Sequence, residues 1–180
     1  MTASHRSVVA HLNADECAAV LGDLLAERAD LSADVERLAM GRLQRQDAEV
    51  VANEVARNLQ RIPLEALAAG AGRRRGGYVH ETDAAWALLE ETVQPYVDDL
   101  QRRARLGLTD AAGQLALGLV AGLYRCRDAE DGTVLGYAGE DAAEELAEWA
   151  VREAVGAGLH LRPGSLAEAA RDWSLDEMLV

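Results

Sequence analysis

The densest basic charge in this sequence is a run of three arginines, Arg73, Arg74 and Arg75, enclosed by glycines in the segment Gly70 to Gly77. Guanidinium groups fork onto carboxylates and phosphates, so the segment is a candidate contact for an acidic partner or a phosphate. It is equally typical of a solvated linker, because glycines give freedom and adjacent like charges resist compaction. No aromatic residue is interleaved with the arginines, so nucleic-acid binding is the weaker interpretation.

Side chains that bind metals are present, but their spacing gives no ligand set. The four histidines are scattered over the whole chain, at His5, His11, His80 and His160. His80-Glu81 begins like the zinc-protease pattern HExxH, but position 84 is alanine. The acidic run before Gly132 does not place oxygen ligands where an EF-hand needs them. We therefore predict a solvated loop there, and neither a metal nor a cofactor.

The residues that could perform catalysis are also isolated. Cys17 and Cys126 lie far apart, outside any CxxC or Cys/His cluster, and no base is placed near either of them. The sequence has no GxSxG, no Walker A and no dinucleotide-binding glycine pattern. We predict ordinary thiols and no catalytic residues, so the protein is expected not to be an enzyme.

The large aromatic residues are Trp86, Trp149 and Trp173, one on each of three predicted helices. Tryptophan at a stripe position is typical of core packing. The tail that follows Trp173 carries four apolar residues at short spacing, Leu175, Met178, Leu179 and Val180. Such a tail docks in a groove, either on a partner or on its own fold, and the second is the simpler interpretation.

Composition and charge exclude several classes of partner. The formal net charge is -13, and an acidic surface repels phosphate backbones and anionic lipid. No run approaches 18 apolar residues and the N-terminus lacks a signal-peptide pattern, so we expect a cytoplasmic protein with no membrane contact. Every basic residue is arginine and phenylalanine is absent, which indicates a GC-rich bacterial genome.

Apolar residues recur at helical spacing from end to end, and strand signals are nearly absent. One such stripe is formed by Cys17, Val20, Leu21, Leu24 and Leu25, and a helix from Thr109 is apolar on nearly every side. Pro95 is expected to bend or split the long helix that contains it. Residues with the chemistry of helix caps precede the stripes at Asn13, Ser32, Thr82, Ser165 and Ser174. Two further helices are predicted to start at about Asp47 and at Thr109.

These patterns predict an all-α protein, an irregular array or bundle of about seven helices built from antiparallel α-hairpins. We place a three-helix half at residues 1–69, a Gly/Arg linker at 70–77 and a second helical half at 78–180. The two halves could also form one domain. No repeat of fixed period is present.

The stretch from Gly76 to about Leu161 resembles the helical region that accompanies SWIM-type zinc fingers in bacterial proteins. The resemblance rests on Gly77-Tyr78-Val79 before a helix with Ala85-Trp86, the small-residue helix 111–125, and the loop from Asp128 to Gly136. The CxC and CxH ligands of the finger itself are absent, so no zinc role follows. The resemblance implies an α-helical accessory module.

Three hypotheses of function remain open. The first is a non-catalytic protein–protein interaction or scaffold module, with homo-oligomerisation as one possibility. The second is a regulatory or small-molecule-binding bundle, and the third a nucleic-acid-associated accessory protein. A ligand binder should enclose an apolar cavity, whereas an adaptor should show a groove or an exposed apolar patch.

Overall fold

The computed structural model describes residues 8–74, 76–128 and 132–179. This part of the chain holds nine α-helices and a single pair of three-residue strands, which confirms the all-α class. The helices are α1 (Ala14–Glu27), α2 (Ser32–Leu43), α3 (Ala48–Gln60), α4 (Leu64–Gly70), α5 (Glu81–Arg105), α6 (Thr109–Tyr124), α7 (Val134–Ala138), α8 (Ala142–Gly156) and α9 (Pro163–Ala169). Short 3-10 turns occupy Val8–His11, Ala29–Leu31 and Leu175–Leu179.

The predicted cap of α1 is present, and a side-chain cap also lies at the predicted start of α3. The Asn13 side chain accepts from the Glu16 amide at 2.9 Å, and the Glu16 carboxylate accepts from the Asn13 amide at 2.9 Å, so α1 begins with a capping box. Asp47 accepts from the amides of Glu49 and Val50 at the start of α3. Both pairs satisfy amides that lack a partner within the first helical turn.

Three predicted caps, Ser32, Thr82 and Ser165, lie inside their helices and are wrong by one to three residues. His80 caps α5, its Nδ1 accepting from the Thr82 amide at 3.3 Å, so Thr82 lies inside the helix. Thr109 opens α6 as predicted, and Leu108 precedes it without a side-chain cap. Ser165 lies inside α9 and its hydroxyl donates to the Arg162 carbonyl at 2.7 Å. Hydroxyl residues in the first turn find acceptors there, so their type alone does not fix the boundary.

The predicted loop between Arg127 and Gly139 contains one further helix. α7 begins after Thr133, whose hydroxyl oxygen accepts from the Gly136 amide at 3.1 Å. Its apolar residues Val134, Leu135 and Ala138 are buried. Five residues are too few to show helical periodicity, which is why the sequence indicated only a loop.

α5 continues through Pro95 without interruption, so the predicted split does not occur. Its apolar stripe, Leu89, Val93, Val97 and Leu100, is fully buried. Packing along the whole stripe holds the helix together despite the amide that proline lacks.

The segment predicted as a linker contains a β-hairpin. Strands β1 (Gly72–Arg74) and β2 (Gly77–Val79) pair antiparallel, with Gly72 opposite Val79 and Arg73 opposite Tyr78. Gly72 and Gly77 have φ of 95° and 137°, a region that other residues rarely adopt. Neither strand alternates polar and apolar residues, so the sequence carried no strand signal.

The chain divides into two compact units, one of residues 1–42 and one of residues 43–180. This division falls well before the Gly/Arg segment, because α3 packs on α6 within the second unit. The backbones of α3 and α6 approach closely at two glycines: a Cβ at Gly118 would lie 2.6 Å from the Val51 Cβ, and one at Gly122 would lie 2.7 Å from the Val55 Cβ. α6 carries nine buried residues and is central to this unit, as its all-round apolar sequence predicted.

Candidate interaction surfaces

The apolar stripe of α1 is exposed to solvent. We call Cys17, Val20, Leu21 and Leu24 the α1 apolar face. The exposed fractions of Val20, Leu21 and Leu24 are 48%, 41% and 41%, and Cys17 is also exposed. No described residue of either helix in the first unit is buried. The periodicity correctly predicted a helix here, but the face covers no core within its own unit.

Acidic residues border this face along one edge. Glu16, Asp23 and Glu27 fall at the helical spacing of Val20, which places them beside it in a line. Asp15 lies on the opposite side of the helix, and α1 contains no basic residue. The face therefore combines apolar side chains with a negative margin.

The β-hairpin places Arg73 directly opposite Tyr78. Arg73 is exposed, and it forms no ion pair with any residue that the structure describes. The exposed fraction of Tyr78 is 72%. The side chain of Arg74, and Arg75 altogether, lie outside the described residues. The pairing supplies the neighbouring aromatic residue that the arginine run lacks in sequence, and only the strand register could have shown it.

The C-terminal tail packs on its own helices. The Trp173 ring stands edge-on to Tyr124 with centroids 5.1 Å apart, and the Tyr124 hydroxyl donates to Asp172 at 2.5 Å. Leu175 is buried, and Met178 and Leu179 lie partly buried against the core. These apolar residues are thus occupied within the chain, which is the simpler of the two interpretations of the tail.

A cleft of about 320 Å³ beside Cys126 is open to solvent, and Leu59, Gln60 and Arg125 are among its lining residues. Burial raises the pKa of the Cys126 thiol, and the thiol lies 3.8 Å from the Ala56 carbonyl. A raised pKa keeps the thiol protonated and unreactive at neutral pH. Arg125 is engaged by Glu49 at 2.6 Å and Asn53 at 2.9 Å. This arrangement favours packing over nucleophilic chemistry.

Across residues 8–74, 76–128 and 132–179, no three His, Cys, Asp or Glu side chains converge as a metal site. Of the predicted isolated histidines, His80 serves α5 as its cap, and His160 lies near the start of α9. Within the same residues, no helix has the length and apolar character needed to cross a membrane.

Comparison of the chain with protein-family models, with curated proteins and with solved structures gives no match. The resemblance to the helical region of SWIM-type zinc-finger proteins therefore stays a prediction.

Proposed function

We propose that this protein is a non-catalytic helical interaction module and that the α1 apolar face is its contact surface. The observation that carries the proposal is the exposure of Val20, Leu21 and Leu24 in a unit where neither helix buries a described residue. Contiguous exposed apolar residues with a polar margin are typical of protein–protein contact sites. A unit of this size is also too small to bury a sizeable core alone, and a partner helix would complete one.

The partner that fits this face is an amphipathic helix with basic residues beside its apolar stripe. Helices recognise one another by seating apolar residues at i, i+3, i+4 and i+7 into a complementary face. Charges flanking such a seam select the partner. Because Glu16, Asp23 and Glu27 border the face and α1 has no basic residue, the complementary flank is positive. A second copy of the chain would bring one acidic edge toward another, which like charges disfavour.

We further propose a cytoplasmic location. Cys17 and Cys126 are both free thiols, as expected where the surroundings are reducing. The protein partner acts there through the surface of α1, with no cofactor.

Two synthetic helical peptides with the same apolar stripe test the choice of partner. One carries Lys beside the stripe and the other carries Glu, and each is titrated into the full-length protein by fluorescence anisotropy. We expect the Lys peptide to bind with Kd of about 1–100 μM. The Glu peptide should bind at least about tenfold more weakly. Added salt should reduce the difference between the two Kd values, because it screens the charges. Equal binding of the two peptides would contradict the proposed charge complementarity.

The double substitution Leu21→Glu with Leu24→Glu tests the surface itself. It should abolish binding of the Lys peptide and leave the unfolding temperature nearly unchanged, because neither leucine is buried. Leu64→Glu with Leu106→Glu is the matched control, since these leucines have similar exposed fractions, 42% and 49%, in the second unit. The control should bind normally. Undiminished binding by the first variant would remove the α1 face as the contact.

Alkylation of the two cysteines locates the bound peptide. Cys17 lies on the α1 apolar face and Cys126 is buried, so only the alkylation rate of Cys17 should fall when the peptide binds.

Sedimentation of the protein alone tests the alternative that a second copy of the chain covers the face. Self-association that the Leu21→Glu, Leu24→Glu variant abolishes would assign the face to a second copy and overturn the proposed partner.

A further inference from the structure

We infer that the groove between α5 and α8 binds an arginine side chain of a partner polypeptide. This site goes beyond the proposed function, because it lies in the second unit and shares no residue with the α1 apolar face. We call it the tryptophan groove and define it by Trp86 and Glu90 of α5 and by Glu145, Glu148, Trp149 and Arg152 of α8. Its volume is about 850 Å³.

The two indoles give the groove aromatic walls. Trp86 and Trp149 each pack partly against the core, and both still line the groove. A partly buried indole is held in place by its packing, so little conformational entropy is lost when a ligand stacks on it. Tryptophan faces also attract cations, with the strongest effect among the aromatic side chains.

The carboxylates of the groove carry unneutralised charge. Glu148 pairs with Arg152 at 3.2 Å, whereas Glu90 and Glu145 are exposed and form no side-chain hydrogen bond or ion pair with any described residue. Three carboxylates therefore face one guanidinium. The pKa of the neighbouring Glu144 is raised, first by burial and then by the nearby negative charges of Glu148 and Asp141. The groove thus attracts positive charge.

Arginine fits this combination better than lysine. Its planar guanidinium stacks on an indole and donates in a fork to carboxylates, whereas an ammonium acts as a point charge. The groove is open to solvent, whereas small-molecule sites enclose most of their ligand. An open channel with aromatic and acidic walls suits a side chain presented by a polypeptide, and arginine is among the residues that dominate such contacts.

Short Gly/Ser peptides that carry two arginines, two lysines or two citrullines test the inference with the full-length protein. Binding is followed through the three tryptophan indole N–H resonances, assigned with single Trp→Phe variants. The arginine peptide should shift the Trp86 and Trp149 signals, with Kd of about 0.1–1 mM. The Trp173 signal should stay in place, because that ring packs on Tyr124. Lysine should bind several-fold more weakly, and citrulline, which is uncharged, should not bind.

The paired substitution Glu90→Gln with Glu145→Gln should weaken arginine binding about tenfold or more and leave the fold intact, since both residues are exposed. Glu65→Gln with Glu168→Gln is the matched control: it removes the same charge from two exposed carboxylates outside the groove. The control should bind as the unchanged protein does. Because the groove variant leaves α1 untouched, its binding of the Lys-flanked helix should persist, and failure of one proposal leaves the other standing.

Any one of four binding results would overturn the inference. They are equal binding of the citrulline peptide, equal loss in the control pair, absence of shifts at Trp86 and Trp149, and undiminished binding by the groove variant. Self-association that the groove variant abolishes would assign the groove to a second copy, and would also overturn it.

Discussion

Arg103 and Leu43, 60 residues apart, are joined by a hydrogen bond from the Arg103 guanidinium to the Leu43 carbonyl. Arg103 is the only buried charged residue in the described part of the chain. Its Nε also donates to Asp99 at 2.9 Å, and Arg102 donates to the same carboxylate at 3.0 Å. A buried guanidinium is costly unless its donors are satisfied, and these two acceptors provide partners inside the second unit.

Arg103→Ala should destabilise the protein by about 2–4 kcal/mol, because it removes packing and leaves the Leu43 carbonyl without its donor. Arg102→Ala is the control, since Arg102 binds the same carboxylate from a half-exposed position. It should cost less than about 1 kcal/mol. Urea unfolding of both variants gives the comparison, and equal losses would show that the buried hydrogen bonds add no stability.

Gly118→Ala should destabilise the protein by about 1–3 kcal/mol, because the added methyl group meets the Ala48 carbonyl and the Val51 Cβ at 2.6 Å. Gly113→Ala in the same helix meets nothing within 4 Å. There alanine should stabilise by about 0.5–1 kcal/mol through its better helix propensity. Thermal unfolding of the two variants should give shifts of opposite sign. A neutral Gly118→Ala would mean that α3 and α6 do not cross this closely.

Tyr96 should ionise at a higher pH than an ordinary tyrosine. Burial and the nearby Glu54 carboxylate raise the pKa of its phenol to about 12. The hydroxyl donates to Glu54 at 3.1 Å and accepts from Asn58 at 2.8 Å. Since the folded pKa lies above the unfolded value of about 10, the neutral phenol contributes stability that is fully present below pH 10. That contribution is lost as the pH rises from about 10 to about 12.

Tyr96→Phe should therefore lower stability at neutral pH by about 1 kcal/mol and flatten its fall between pH 10 and pH 12. Tyr78→Phe, at an exposed site, should have no effect on stability. Tyrosinate absorbance and urea unfolding across this range provide the measurement. An unchanged alkaline profile in Tyr96→Phe would show that another group causes the loss.

Replacing Arg73, Arg74 and Arg75 together with Ser should leave the unfolding temperature nearly unchanged. An exposed charge such as that of Arg73 contributes about 0–1 kcal/mol, and the sequence predicts the same for its two neighbours. If the hairpin is a contact site, low-salt capture of an acidic peptide should fall sharply in this variant. Arg37→Ser with Arg42→Ser and Arg45→Ser is a control for total charge. Capture that survives the hairpin substitutions would leave the three arginines as a solvated segment.

Helices with long apolar stripes could be predicted, because Val51, Val55 and Leu59 or Leu89, Val93 and Val97 repeat at the period of a helix whatever they pack against. The same period could not show that the stripe of α1 lacks a partner within its own unit. Arg103 could not be found either: nothing in the sequence distinguishes it from the neighbouring exposed arginines. The tryptophan groove depends on which faces of α5 and α8 pack together, and the hairpin depends on the register of its strands. Both are set by contacts between segments, which periodicity within one segment does not show.

The packing of α3 on α6 also affects how the chain folds while it is being translated. Cys126, two residues after the end of α6, meets Ala56 of α3, which lies 70 residues earlier in the chain. At a translation rate of about 5–20 residues per second, α3 leaves the ribosome about 4–14 s before the helix that covers it. During that interval Val51, Val55 and Leu59 have no permanent neighbour, and the nascent chain is most open to aggregation. Slow translation between α3 and α6 would lengthen this interval, whereas fast translation would protect the yield of folded protein.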